Sequence, residues 1–569
     1  MIVRIASIRR IALPTVDCVV YPSSASDRQS VQQKIGGNIS VQYDLSTCTI
    51  PLALLKNFTI LLPMRQNEKY RREFLKTAFS ILSSSAFFKE ADLQVAPEVK
   101  HILNAKLFGQ VNVEDFGAAG NGIADDTAAW QNAINYVKRH KLKLRAMSPS
   151  YLIGTLTLDG FGYEIVTDNN TFIQKSGIPG DHPVFNITGD DILIGDLSIR
   201  GNIATDTDEF CHGIQVLSGK NIKIGVVTGT DIRGDVVYIY GRSTSAAEIS
   251  RNIQIEGVVG SNILRCLFAA SGGQGEVGFV RATGGVGYKD VDLEPNAEGL
   301  YQPNNWHIGH VHGSRVQVVS ADVAVQNENA SFSTLDLSGN RIINSTPAYS
   351  GHSGSNDFAL AIDDVRTFHC DTLKIKNFDG VAVKLGRKAD NISFGTVDFS
   401  AVGTAETTYK SVILHLGTDP VGTLSIGLLV GILHDNSRYI LRSDTEMLKV
   451  DIRRIEVTGG LFGVRVTGNV GSMALDAGNP IGGILFSSCS DMTIGHSVIT
   501  NTTSAYGFYD CNNLILKDWT VTFGGGVDFS SLSTNIVAIN STINGSTADS
   551  INLIVDGNIR ADRPSILGA

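Results

Sequence analysis

Asp191-Ile192-Leu193-Ile194-Gly195, Asn221-Ile222-Lys223-Ile224-Gly225, Asn252-Ile253-Gln254-Ile255-Glu256 and Asn305-Trp306-His307-Ile308-Gly309 are copies of one short pattern. An Asn or Asp opens each copy, and apolar residues hold its second and fourth positions. Later copies begin at Asn391-Ile392-Ser393-Phe394-Gly395, Asp491-Met492-Thr493-Ile494-Gly495 and Asn513-Leu514. Period-two alternation is what a strand with one buried face requires. The opening Asn or Asp suits a turn, where a short polar side chain bonds the local backbone. A second alternating strand precedes several copies, as in Gly213-Ile214-Gln215-Val216, Val381-Ala382-Val383-Lys384 and Gly483-Ile484-Leu485-Phe486. The step from Asp491 to Asn513 is about one coil of a stacked solenoid. Wider gaps leave room for side loops or a further coil.

The bulk composition agrees with such a solenoid. A chain of 569 residues ordinarily suggests several domains, but each repeat buries its core only against its neighbours, so length is not limited. Fifty-nine glycines and 7% aromatic residues fit many short strands joined by tight turns. A net charge of -9 gives a nucleic-acid partner no basic footprint. No run reaches the roughly 18 apolar residues of a membrane span. Seven cysteines in this length are not a disulfide scaffold. Cys489 and Cys511 sit in matching contexts, so stacking would place them about 4.8 Å apart, within disulfide range or as a buried thiol ladder.

Val111 to Tyr136 reads Val-Asn-Val-Glu-Asp-Phe-Gly-Ala-Ala-Gly-Asn-Gly-Ile-Ala-Asp-Asp-Thr-Ala-Ala-Trp-Gln-Asn-Ala-Ile-Asn-Tyr. It resembles the opening motif of the pectate-lyase-like superfamily, which includes polygalacturonase-like enzymes, rhamnogalacturonases and many phage tailspikes. Asn121 stands where that motif commonly has Asp. The resemblance implies an all-β, right-handed parallel β-helix and says little about the reaction. Gly117, Gly120 and Gly122 permit a turn with positive φ. Asp125 or Asp126 caps a helix, and Ala129, Trp130, Ala133, Ile134 and Val137 form its apolar stripe. A helix near 126–139 would cover the open end of the first coil, which makes both aspartates structural.

Ahead of the solenoid, Tyr70-Arg71-Arg72-Glu73-Phe74-Leu75-Lys76 resembles a twin-arginine export motif, followed by the apolar stretch Thr77 to Phe88. The expected organisation is an extension over 1–63 with translation starting at Met64, a signal-like segment over 64–95, a linker over 96–109, the β-helix over 110–560 and a tail over 561–569. Export to the periplasm or outside the cell follows from that motif.

Chemistry is expected where outward side chains of neighbouring coils form columns. In Lys289-Asp290-Val291-Asp292-Leu293-Glu294, alternation points Val291 and Leu293 inward and Asp290, Asp292 and Glu294 to one outer face, roughly 6.7 Å apart. Three such carboxylates raise at least one pKa, suiting general-acid work, and could equally hold Ca²⁺. Counting back by coils brings Arg233, Asp235, Tyr238, Tyr240 and Arg265 to the same region. Asp235 would be the partner carboxylate, Arg233 and Arg265 the groups for a substrate carboxylate, and Tyr238, Tyr240 and Tyr301 stacking platforms, with His212 at a column end. His310 and His312 share a face but lack a third ligand at a recognisable spacing.

The polygalacturonase-like branch carries Asn-x-Asp, Asp-Asp, Gly-His-Gly and Arg-x-Lys in order. Here Gly189-Asp190-Asp191 supplies an Asp pair in a turn, and no clean Gly-His-Gly or Arg-x-Lys follows. The Asp-Pro-His-Asp pattern of alginate epimerases is also missing, so the branch stays open. The leading reading is an exported glycoside hydrolase or polysaccharide lyase working on a polysaccharide over residues 208–301, with oligomeric state undetermined. Its rivals are a non-catalytic carbohydrate-binding or surface-adhesive β-helix, and a phage-tailspike-like depolymerase.

Overall fold

The computed structural model describes residues 109–556 apart from interspersed segments, the longest of them 339–357. The signal-like motif, Met64, Cys489, Cys511 and Tyr301 lie outside the described residues.

The chain winds into a right-handed parallel β-helix. Its strands fall into parallel sheets of 20 and 15 strands, with a third of 3 strands joining Ser497–Thr502, Trp519–Phe523 and Thr542–Asn544. The repeat copies lie in the 20-stranded sheet and the strands that precede them in the other. Stacked apolar residues fill the bore. Ile214, Val237, Phe268, Val291, Val316 and Leu360 follow one another in register and all are buried. Each such side chain contributes on the order of 1.5–3 kcal/mol.

Long strands such as Lys220–Thr230 contain a bend. Ile222, Ile224 and Val227 are buried, so the alternation slips by one at Gly225 and Val226, and one strand serves two walls of the coil. Glycine recurs at this bend because the backbone of the preceding coil comes close. A Cβ at Gly309 would lie 2.3 Å from the carbonyl oxygen of Gly278, and one at Gly395 2.5 Å from that of Asp371.

The opening Asn or Asp has two roles. Asp191, Asn221 and Asn252 have φ of 52°, 57° and 54°, in the left-handed region where Asn and Asp are the tolerated side chains. Their side chains also join into a ladder, with Asn221 Nδ2 donating to Asp191 Oδ1 at 2.8 Å and Asn252 Nδ2 to Asn221 Oδ1 at 2.8 Å.

Coil length varies. Ladder partners are 30 and 31 residues apart early on and 24 apart between Asn305 and Asn329. The gap from Asn252 to Asn305 holds an additional coil through Gly273–Ala282, and Asn329–Ser338 and Thr367–Phe378 add two more before Asn391.

At the N-terminal end the helix Thr127–His140 buries Trp130, Ala133, Ile134 and Val137. The Trp130 ring meets Tyr151 and Phe172 edge-on, each at 5.1 Å, and so closes the bore. Asp126 stands at the cap position, but its carboxylate accepts the N–H groups of Ala119 and Gly120 instead and shapes the glycine turn. Asp125 Oδ1 takes the Thr127 N–H and hydroxyl. Both aspartates are structural. No helix among the described residues is long and apolar enough to cross a membrane.

Candidate functional site

The strands Val237–Ile239, Cys266–Ala270, Lys289–Leu293 and Val316–Val318 stack in the 15-stranded sheet, and every residue in them is buried. Alternation along a rung therefore does not expose its second face here. The column outside the bore runs Gln215, Tyr238, Ala269, Asp292, Gln317. It lies beside a small apolar cluster of Tyr238, Cys266, Ala269 and Tyr288, with Tyr240 packed against it.

Asp235, Arg265, Lys289, Asp292 and Glu294 gather on this covered wall. Asp235 is fully buried; its Oδ1 accepts the Cys266 N–H at 2.9 Å and lies 3.7 Å from Arg265 Nε. Burial raises its pKa, and Arg265 opposes that shift. The Arg265 guanidinium lies over the Phe210 ring at 5.7 Å. Asp292 is 2% exposed, and its Oδ1 has no hydrogen-bond partner among the described residues. Burial, and next the Glu294 charge, push its pKa well above the ordinary carboxylate value, against the pull of Arg265. Burial and then Arg315 lower the Lys289 ammonium to about 8.

Two expectations about the acidic strand change. Asp290 does not line the wall with Asp292 and Glu294. Its Oδ2 takes the N–H groups of Ser314 and Arg315 and the Ser314 hydroxyl, so it organises the turn of the next coil. The three carboxylates therefore do not converge on a cation, and among the described residues none belongs to a group of three metal-ligating side chains.

His212 and Tyr238 are packed groups. His212 is fully buried and stacks on Tyr238 with ring centroids 4.6 Å apart. Its Nδ1 accepts the Asp235 N–H at 3.0 Å, so that nitrogen carries no proton and the 3.3 Å approach of Asp235 Oδ2 is not an ion pair. Burial, and next Arg265, hold the ring neutral. Tyr238 is 6% exposed and donates to the Ser271 hydroxyl, so neither presents a face to a sugar ring. Tyr240 and Arg233 are half-buried, Arg233 reaching the Ile203 carbonyl at 3.4 Å. Asp190 Oδ1 accepts the Lys220 N–H and Asp191 serves the ladder. His310 is exposed and His312 pairs with Asp336. Lys289, Cys266 and Tyr288 join the site without being singled out beforehand. Their signal was position alone, since each lies within or beside a stretch already chosen for another residue.

Fold and site together define the class: a right-handed parallel β-helix with a covered, charge-bearing wall. No family model and no curated protein matches the chain. One solved structure that matches is the crystal structure of the pre-mature bacteriophage phi29 gene product 12, 9% identical over 78% of this chain and 75% of that one, with a TM-score of 0.39. A likeness of that size adds nothing to the architecture already read from the strand register.

Proposed function

We propose that the protein cleaves a polysaccharide by hydrolysis, with Asp292 as general acid and Glu294 as general base. The observation that carries this reading is the contrast between two carboxylates two residues apart, Asp292 within the strand Lys289–Leu293 and Glu294 just past its end. Asp292 is buried, and burial and the Glu294 charge raise its pKa well above the ordinary carboxylate value, whereas Glu294 is half-buried. Two carboxyl groups in unlike environments can divide into acid and base. Carboxyl groups about 6.5–9.5 Å apart leave room for a water and predict inversion, and about 5–5.5 Å predicts retention. Arg265 and Lys289 supply positive charge beside the pair. The covering side chains, Phe210 among them, must part for a glycan to reach Asp292.

Burial of Asp235 and Asp292 favours a second reading, a carbohydrate-binding β-helix whose ion cluster only fixes its loops. Incubating the full chain with a panel of acidic and neutral polysaccharides separates the two. Hydrolysis gives new reducing ends, and elimination would add an unsaturated uronate chromophore and move the reaction to the lyase class. Glu294→Gln and Asp292→Asn should each lower the rate by about 10²-fold or more. No cleavage by the unaltered protein on any glycan, with retention on some of them, would leave the binding reading in place.

We also propose export through Arg71-Arg72. Replacing both with Lys should hold the protein inside the producing cell, and unchanged fractionation would remove that proposal.

A further inference from the structure

A separate cluster lies where His182 meets Asp206 and Cys211. His182, Asp206 and Cys211 are all buried, and their potential ligand atoms lie within 4.8 Å of one another. His182 Nδ1 is 2.6 Å from the Gly180 carbonyl oxygen. A carbonyl only accepts, so Nδ1 carries a proton, and in the neutral ring Nε2 presents its lone pair. That lone pair faces Asp206 Oδ1 at 3.6 Å. Neither His182 Nε2 nor either Asp206 oxygen has a hydrogen-bond partner among the described residues. The Cys211 sulfur lies 3.5 Å from Nδ1 of the same ring. With the ring neutral, electron-pair donors face one another in a buried site, an arrangement that a cation relieves.

We propose that His182 Nε2, Asp206 and Cys211 bind a divalent transition metal, Zn²⁺ before others. Nitrogen, thiolate and carboxylate are its usual donors. With Zn–S about 2.3 Å and Zn–N about 2.0 Å, tetrahedral ligand atoms sit roughly 3.3–3.6 Å apart. The Nε2–oxygen pair already has that spacing, and the sulfur, which lies beside Nδ1, must move towards Nε2 to complete the set. The Nδ1 bond to the Gly180 carbonyl is the outer contact that fixes the tautomer of a ligating histidine. On binding, the Cys211 thiol loses its proton to solvent and sulfur donates to the metal as thiolate.

The metal ties Asp206 and Cys211 to His182 on the preceding coil. Phe210, which lies over Arg265, is next to one ligand, so metal occupancy fixes the cover of the charged wall. This inference does not depend on the carbohydrate reading.

The test uses the full chain. Protein purified without chelators should carry about one Zn²⁺ per chain by elemental analysis. After metal removal, Co²⁺ should give a thiolate-to-metal charge-transfer band that Cys211→Ser abolishes and Asp206→Asn weakens. Zn²⁺ should slow alkylation of the Cys211 peptide about tenfold or more at saturating metal, without protecting the Cys370 peptide, a readout that needs no variant to fold. Absence of co-purified metal together with no Co²⁺ band and no protection of Cys211 overturns the proposal. So does a Co²⁺ band that persists unchanged in a folded Cys211→Ser protein.

Discussion

Asn252 donates from Nδ2 to Oδ1 of Asn221 on the preceding coil at 2.8 Å, while both residues hold a left-handed backbone, with φ of 54° and 57°. Side-chain bonding and backbone conformation are separable at Asn221. Alanine there loses both ladder bonds and strains the backbone by about 1–2 kcal/mol, whereas glycine loses the bonds alone. A solenoid responds locally because each repeat contacts only its neighbours. Amide exchange across Lys220–Thr230 should therefore quicken more in Asn221→Ala than in Asn221→Gly. Equal exchange in the two variants would show that the left-handed conformation is not what selects Asn.

Close approach of coils makes a second prediction at the bend. Alanine at Gly309 places its methyl group 2.3 Å from the Gly278 carbonyl oxygen, and backbone cannot move aside as a flexible side chain can. Gly309→Ala should lower stability by about 1–3 kcal/mol. Ser333 occupies the same bend on the next coil, and Ser333→Ala should change stability by less than about 0.5 kcal/mol. Thermal unfolding of the pair decides it, and matching midpoints would refute the close-approach account.

Much of this architecture was legible because the bore repeats one rule in every coil. Ile222 and Ile224 announce a buried strand face, Asn221 its turn, and Trp130 with Ile134 the helix that closes the end. Coil length was not legible, since Gly273–Ala282 lacks the Asn opening and loops of unequal size separate the copies. The site was legible as a neighbourhood, since Asp235, Arg265 and Asp292 fall on successive rungs. Its exposure was not, because period-two alternation says which side of a strand a residue occupies and nothing about what covers that side. Tyr238 and His212 are packed for that reason. Asp290 departs because Ser314 and Arg315 offer it two backbone N–H groups, a contact invisible in its own strand. His182 gave no signal at all, since its partners Asp206 and Cys211 come together only through the coil spacing.

Asp290 should therefore behave as a structural residue. Its Oδ2 collects the N–H groups of Ser314 and Arg315 in a fully buried turn. Asp290→Ala leaves both donors buried without partners, at about 1–3 kcal/mol each. The expected result is a loss of about 2–5 kcal/mol, with amide exchange quickening in Val316–Val318 more than in Val237–Ile239. A variant as stable as the parent would return Asp290 to the list of candidate acids.

Lys289 and Asp292 give the wall a pH dependence with opposite signs. Lys289 titrates at about 8 when folded against an ordinary 10.5. Its contribution is fully present above 10.5 and lost as pH falls through 8, because burying the ammonium opposes folding. Asp292 is raised well above its ordinary 3.8. Its contribution is fully present below 3.8 and lost as pH rises through the folded value. Thermal midpoints of the unaltered protein should thus rise between about pH 8 and 10.5 relative to Lys289→Met, which has no ammonium to neutralise. Lys289 also holds the Asp292 pKa down, so in Lys289→Met the loss of stability linked to Asp292 should extend to higher pH. Asp292→Asn should remove that loss. Parallel midpoint curves for the unaltered protein and Lys289→Met from pH 8 to 10.5 would mean that Lys289 titrates normally and that its charge is not confined to the buried wall.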